Sequence, residues 1–356
     1  TFFPSGRPPQ AGEVFRCPPQ AETLAAIAES RGEAFYRGAL AQKIAACAAA
    51  EGGAMTLDDL SAHTADWVEP LALDYGGVTL HEIPPNGQGI AALIALGILR
   101  NFDVKRHPVD SVDSLHLQIE AMKIAFAEVF RRVADIDHMP EPPAELLRED
   151  RLAAQASAIR MDRAVQTTAR APGGGGTVYL AAADESGMMV SFIQSNYMGF
   201  GSGIVVPGTG IALQNRGLGF VLAADHPNRV GGGKRPFHTI IPGFVTQNGR
   251  PLMSFGVMGA HMQPQGHVQM MVRIFDHGQN PQAACDAPRW HVAPDGRVEL
   301  EPGFSPAVAE GLRKRGHPVA TNAPEPLFGG GQLIYRLADG YVAASDMRKD
   351  GQAVGF

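Results

Sequence analysis

Apolar positions recur at helical spacing from residue 21 onward. Leu24, Ile27 and Ala28 share one face, and Phe35, Leu40, Ile44 and Cys47 share another. Gly32 stands between the two sets and Gly52-Gly53 follows the second, which predicts two helices within residues 21–50. Residues 1–19 carry prolines at 4, 8, 9, 18 and 19 and read as extended coil. Thr56-Leu57-Asp58-Asp59 places a hydroxyl at a cap and a carboxylate three residues on, the start of a short capped helix. Strand-like runs follow at Val68–Tyr75 and Gly77–Ile83. The turn PPNGQG (84–89) leads into an apolar helix over Ile90–Arg100. Ser111–Ala134 is a long amphipathic helix with Leu115, Ile119, Met122, Phe126 and Val129 facing inward.

Between Ala153 and Gly176 the chain turns to Ala, Arg, Thr, Pro and Gly and ends in four glycines. This marks a boundary between a mainly helical part, 1–176, and a strand-rich part, 177–356. The second part opens strand, turn, strand: TVYLAAAD (177–184), ESG, MMVSFIQ (188–194). Glycine-rich stretches follow at 196–220 and 231–245, then a strand-like PLMSFGVMGAH (251–261). Helices are expected over Val268–Phe275, Pro281–Asp286 and Ala307–Lys314. A strand is expected near Arg297–Leu300 and a hairpin at Leu333–Leu337 and Tyr341–Ala344. Helices before and after a strand-rich block predict a sheet between helical layers.

Composition narrows the function classes. The chain has 356 residues, 45% hydrophobic and 19% charged, enough to bury a core, so disorder is excluded as its main description. With 30 basic and 36 acidic residues the net charge is −6, which argues against a nucleic-acid partner bound by phosphate neutralisation. No apolar run approaches the roughly 18 residues of a membrane span, and no membrane partner is expected. Cys17, Cys47 and Cys285 form no CxxC pair and read as small buried residues. Unpaired cysteines favour a cytoplasmic setting, with the periplasm as the alternative. The opening TFFPSGRPPQ lacks Met, a basic region and an apolar region, so upstream sequence is expected to precede it.

Several motifs fail their tests. GGGKRP (231–236) follows Lys234 with Arg235, and position 228 is Asn, so the Walker spacing is absent. GFGSG (199–203) lacks the third glycine of a dinucleotide fingerprint. There is no HExxH among the 12 histidines, and His261 and His267 lie six apart around Pro264, so neither a metal nor a cofactor is expected. Ser195 and Ser202 have Ile193 and Phe200 two positions earlier, which excludes a GxSxG elbow.

Thr177 stands apart. A glycine-rich segment feeding a threonine at a strand start suits self-cleavage to an N-terminal threonine. Its hydroxyl would attack the Gly176 carbonyl, and the freed amine would then serve as general base. A threonine that merely opens a strand is the alternative reading of this residue alone. The surrounding stretches carry more. TVYLAAADESG (177–187), GFGSGIVVPGTGIALQN (199–215), GGKRPFHTIIPGF (232–244), SFGVMGA (254–260) and ACDAPRWH (284–291) occur in that order. Together they resemble the small subunit of the γ-glutamyltransferases, which are N-terminal-nucleophile hydrolases. EAFYRGALAQKI (33–44), GGAMTLDDLSAH (52–63) and HEIPPNGQGIAAL (81–93) resemble that family's large subunit.

The resemblance implies an α+β fold, a four-layer αββα sandwich formed by two intertwined parts, 1–176 and 177–356, that stay associated after a cut between Gly176 and Thr177. It implies Thr177 as nucleophile, the N–H groups of Gly259 and Ala260 as an oxyanion loop, and Ser195 as a hydroxyl that steadies the nucleophile. Gly201 and Gly203 would hold the backbone near the site or serve turns. The implied substrate is a γ-glutamyl amide such as glutathione, with water or an amino acid as acceptor. An upstream segment would supply further strands and an Arg for the substrate carboxylate. Self-association into a homo-oligomer stays open.

The sequence departs from the family where the acyl group is read. Arg216 and Gly219 stand where the family has a Gln or Glu and an Asp for the α-ammonium. His238-Thr239 replaces a double Ser, and Tyr197 replaces an Asn. An ammonium facing Arg216 without a carboxylate is unfavourable. Arg216 and His238 together suit an anion, so a glutaryl-type acyl group without α-ammonium is the alternative substrate. Arg216 as a structural ion pair, and the whole chain as a non-catalytic relative, are the remaining alternatives.

Overall fold

The computed structural model describes residues 2–3, 6–165 and 176–356. The predicted boundary therefore lies partly outside the described residues. The chain forms two compact units, one of residues 1–67 with 200–215 and one of 68–199 with 216–356. Both units draw on residues from either side of the Gly176–Thr177 junction.

The first unit contains α1 (Pro18–Glu29), α2 (Glu33–Tyr36), α3 (Ala39–Ala50) and α4 (Leu57–Ala62). Its core is Ala41, Ile44, Cys47, Leu60 and Val206, with Phe35 and Leu213 packed alongside. The Thr56 hydroxyl accepts from the Asp59 N–H and the Asp59 carboxylate accepts from the Thr56 N–H, so α4 starts on a full capping box. Gly201 and Gly203 lie in this unit, in a turn closed by the Ser202 N–H donating to the Leu213 carbonyl at 2.8 Å.

The second unit runs β1 (Leu71–Tyr75), β2 (Val78–Glu82), α5 (Ile90–Leu99), α6 (Val112–Arg132), α7 (Pro143–Leu146), α8 (Glu149–Ala156), β3 (Gly176–Ala183), β4 (Met189–Tyr197), β5 (Gly243–Gln247) and β6 (Arg250–Met258). It continues with α9 (Met262–Met271), α10 (Pro281–Asp286), β7 (Trp290–Val292), β8 (Val298–Leu300), α11 (Pro306–Lys314), β9 (Val319–Ala320), β10 (Gly330–Arg336) and β11 (Tyr341–Ser345). Six strands form an antiparallel sheet in the order β1-β2-β5-β6-β10-β11.

Neighbouring residues of β6 show how the layers stack. Val257 meets Gly266 of α9, and Gly256 meets the ring of Tyr179 on β3. Successive strand residues point to opposite faces. Helices therefore cover one face of the sheet and the β3–β4 hairpin covers the other, giving consecutive α, β and β layers of an α+β sandwich. On the helical side, every residue of α5 is buried, as its unbroken apolar run requires. The hydroxyl of Ser111 caps α6, and Arg131 and Arg132 occupy its last turn. No helix among the described residues is long and apolar enough to cross a membrane.

Three elements differ from the sequence expectation. Helix α9 begins at Met262 rather than Val268, because Pro264 falls in its first turn, where a missing N–H costs nothing. Strand β5 starts in the glycine-rich stretch 231–245, where no strand was expected, and runs two residues past it. Strand β7 is short and is read by side chains: Gln265 and Gln269 of α9 each accept from and donate to its backbone, at Val292 and Trp290.

Candidate active site

Strand β3 carries Thr177 and pairs with β4, Thr177 opposite Ser195 and Gly176 opposite Tyr197. A register shift falls between Gly176 and Thr177, so Asn196 is an extra residue on the facing strand. Tyr197, which closes this bulge, is buried with a φ of +78°, in the left-handed region that a bulky side chain avoids. Such strain is of order 1 kcal/mol and persists only where packing over-determines the backbone. Gly176 must stay small, since a Cβ there would come within 2.9 Å of the Gly199 nitrogen.

The hydroxyl of Ser195 has every hydrogen-bonding capacity in use. It donates to the Gly176 carbonyl at 2.7 Å and accepts from the Tyr197 N–H at 2.8 Å and from Thr177 Oγ1 at 3.2 Å. The Thr177 proton thus points to Ser195, and the Ser195 proton points to the carbonyl of the residue before Thr177. This is a path by which a proton can leave the attacking oxygen and reach the oxygen it converts to an alkoxide.

Thr177 faces a cavity of about 380 Å³ that it shares with Met258, Gln332, Lys349 and Asp350. Met258 directly precedes Gly259 and Ala260. Gly259 has a φ of +122° and Ala260 of +51°. Both precede α9, whose N-terminal end carries the positive pole of its dipole. The Met262 and Gln263 N–H groups close the turn onto the Gly259 and Ala260 carbonyls at 2.8 and 3.2 Å. Ala260 adopts the conformation a glycine would adopt more cheaply, and its N–H is kept.

A smaller cavity of about 70 Å³ is lined by Tyr197, Gly219, Thr239 and His261, with Phe130 and Phe237 as apolar wall. Arg216 is 5% exposed. Its guanidinium donates to the Thr239 hydroxyl and lies 4.9 Å from the Tyr197 ring centroid. Burial pulls its pKa down to about 10, against the opposing pull of Tyr197. Burial, with the Arg216 charge added, holds His238 at about 3, so His238 is neutral at ordinary pH and offers an anion no charge of its own. At Gly219 a Cβ would be driven into the Phe237 carbonyl oxygen. Asn228 enforces that approach by donating to the Gly219 carbonyl at 2.6 Å and accepting from the Phe237 N–H at 3.0 Å.

The structure thus brings Gly176, Thr177, Ser195 and Tyr197 together, and separately Tyr197, Arg216, Gly219, His238 and Thr239. Asn228 and Gln88 are both buried and both bonded to these stretches; Gln88 lies within the family-like stretch HEIPPNGQGIAAL but was not singled out there, and Asn228 had no motif to mark it. Among the described residues one group, His116, Glu120 and His317, lies close enough to surround a cation. Lys123 already stands there, 3.1 Å from Glu120 Oε1 and 3.0 Å from His317 Nδ1. His317 Nε2–H then donates to His116 Nδ1 at 2.7 Å, and His116 Nε2–H to the Arg160 carbonyl at 2.9 Å. Each nitrogen is satisfied without a metal.

Residues 1–356 match the family described as gamma-glutamyltranspeptidase. The chain belongs to that family. Among gamma-glutamyltranspeptidase relatives, it is 36% identical over 362 residues to the glutathione hydrolase-like YwrD proenzyme of Bacillus subtilis, covering 100% of this chain and 69% of that protein. It is 36% identical over 363 residues to the oxamate amidohydrolase proenzyme of Klebsiella pneumoniae, covering 100% and 68%. The crystal structure of a cephalosporin acylase from Bacillus halodurans superposes with a TM-score of 0.93 at 48% identity, over 99% of this chain and 65% of that one. The chain therefore spans about two thirds of the length of these gamma-glutamyltranspeptidase relatives. The α+β sandwich inferred from the β6 contacts is the fold of this family.

Proposed function

We propose that the chain matures by a cut between Gly176 and Thr177 and then hydrolyses amides of dicarboxylic acids, reading the free carboxylate of the acyl group at Arg216. One observation carries the substrate class. Gly219 stands where the resemblance puts an acidic anchor for an α-ammonium, and the Phe237 carbonyl leaves no room there for any side chain. A buried cation, Arg216, lies on the same short segment. A glutathione-type γ-glutamyl group brings an ammonium to this region, and a glutaryl-type group does not. Oxamate, named for one relative, is likewise the half-amide of a dicarboxylic acid.

In the proposed maturation Thr177 Oγ1 bonds to the Gly176 carbonyl carbon. Its proton passes to Ser195 as the Ser195 proton passes to the carbonyl oxygen. The C–N bond then breaks, the amine of Thr177 takes a proton, and water hydrolyses the resulting ester. In turnover the free amine of Thr177 accepts the hydroxyl proton as Oγ1 bonds to the substrate amide carbon, and passes it to the departing amine as the substrate C–N bond breaks. The Gly259 and Ala260 N–H groups receive the developing oxyanion, and water or an amine releases the acyl group.

Glutaryl-p-nitroanilide and γ-glutamyl-p-nitroanilide, compared on the purified protein, test the substrate class. At least about tenfold higher kcat/KM for the glutaryl compound is expected, roughly 1.4 kcal/mol of discrimination. A preference for the γ-glutamyl compound would sink the proposal.

A further inference from the structure

Gln88 is the fifth residue of the turn PPNGQG (84–89) and has no role in the chemistry above. It is fully buried. Its Nε2 donates to the Thr239 carbonyl at 2.6 Å and to the Ala260 carbonyl at 2.8 Å. Its Oε1 accepts from His261 Nδ1 at 2.9 Å. Its backbone is tied in as well: the Gln88 N–H donates to the His238 carbonyl and the His238 N–H to the Asn86 carbonyl, both at 2.9 Å. One side chain therefore touches both the stretch that carries Thr239, partner of Arg216, and the stretch that carries the oxyanion donors.

We infer that Gln88 is a positioning residue that sets the separation between the carboxylate-reading end and the oxyanion end. This rests on the reading of the site given above. Ala260 sits at a φ of +51°, and two short bonds from one rigid amide group hold its carbonyl and that of Thr239 in place. An acyl group anchored at Arg216 places its reacting carbonyl a fixed distance away. If the donors move relative to that carbonyl, the transition state loses more than the ground state does. The loss falls on kcat rather than on KM.

Gln88→Glu tests this by pH. An ionised carboxyl at this position still accepts from His261 but turns its other oxygen onto two carbonyls. Once protonated, it regains one donor. Against glutaryl-p-nitroanilide, Gln88→Leu and Gln88→Glu are expected to lower kcat about 100-fold at pH 8, with KM changed less than about threefold. Between pH 8 and pH 5 the Glu variant alone should recover at least about tenfold relative to the native enzyme. Parallel pH profiles, or a KM that rises in step with the fall in kcat, would overturn the inference. A second arm needs no turnover: ¹⁵N-histidine NMR of the Thr177→Ala chain, with and without Gln88→Leu. The His261 Nδ1–H signal should be hydrogen-bonded in the first and lost to exchange in the second. An unchanged signal refutes the role of Gln88. Native protein inactive on every half-amide, with the NMR change present, refutes the proposed substrate and leaves the positioning role standing.

Discussion

At Gly259 and Ala260, its proposed oxyanion end, the site offers main-chain N–H groups, in a turn whose carbonyls are held by the start of α9 and by Gln88. At Arg216, Gly219, His238 and Thr239 it offers side chains, one of them removed to bare backbone by the contact with Phe237. The first end survives a change of residue, because any L-residue that can hold the turn presents the same donor. The second end does not, because the charge it presents is the side chain itself. On the proposed substrate, the reaction is kept while the acyl group is exchanged, and the charge of Arg216 marks the exchange at one end only.

The largest expected effects remove the chemistry common to both ends. Thr177→Ala leaves one uncut chain by intact mass, and Ser195→Ala slows the cut about 100-fold or more, since the proton path is broken. Rapid cutting in Ser195→Ala would show that the relay is not used. Next, Arg216→Met lowers kcat/KM for the glutaryl anilide about 100-fold, because the charge that reads the carboxylate is gone. If activity on the glutaryl compound survives, the two ends do not differ in the way argued.

Acid sensitivity comes third. Burial holds His238 near 3 and His291 near 4, whereas the unfolded residues take up protons near 6.5. Between those values the unfolded chain binds more protons, so stability falls as pH drops below about 6.5. The thermal midpoint should fall steadily from there towards pH 4, and less steeply in His291→Gln. The smallest effect sharpens the contrast from the other side. Ala260→Gly removes the left-handed strain, stabilises the fold by about 1 kcal/mol in chemical unfolding, and leaves kcat within about threefold.

The strand, turn and strand at 177–194 were legible as two short apolar runs split by Glu185-Ser186-Gly187, and the long helix around 111–134 because its apolar residues recur at helical spacing. The glycines and neighbouring motifs also pointed to Thr177, and the structure sets its hydroxyl against Ser195 at the start of β3. Strand β5 and the true start of α9 were not, since neither has a period of its own and Pro264 looks like a breaker until its position in the turn is known. Gln88 and Asn228 were hidden for a different reason. Gln88 works on a carbonyl 151 residues away, that of Thr239, and Asn228 on the Gly219 carbonyl and Phe237 amide, nine residues to either side, which meet only when the loop between them folds back. A polar residue that will be buried looks like any surface residue until its partners arrive.

The bulge at Asn196 has a consequence for quality control. Only when β3 and β4 are zipped with that one extra residue does Ser195 face Thr177. A hairpin slipped by one position would set Asn196 there, whose amide has no hydroxyl to relay the proton. A chain that cuts itself by this relay has, in doing so, certified its own strand register. Under the proposed maturation, activity is a stamp reserved for copies whose strands pair in this register.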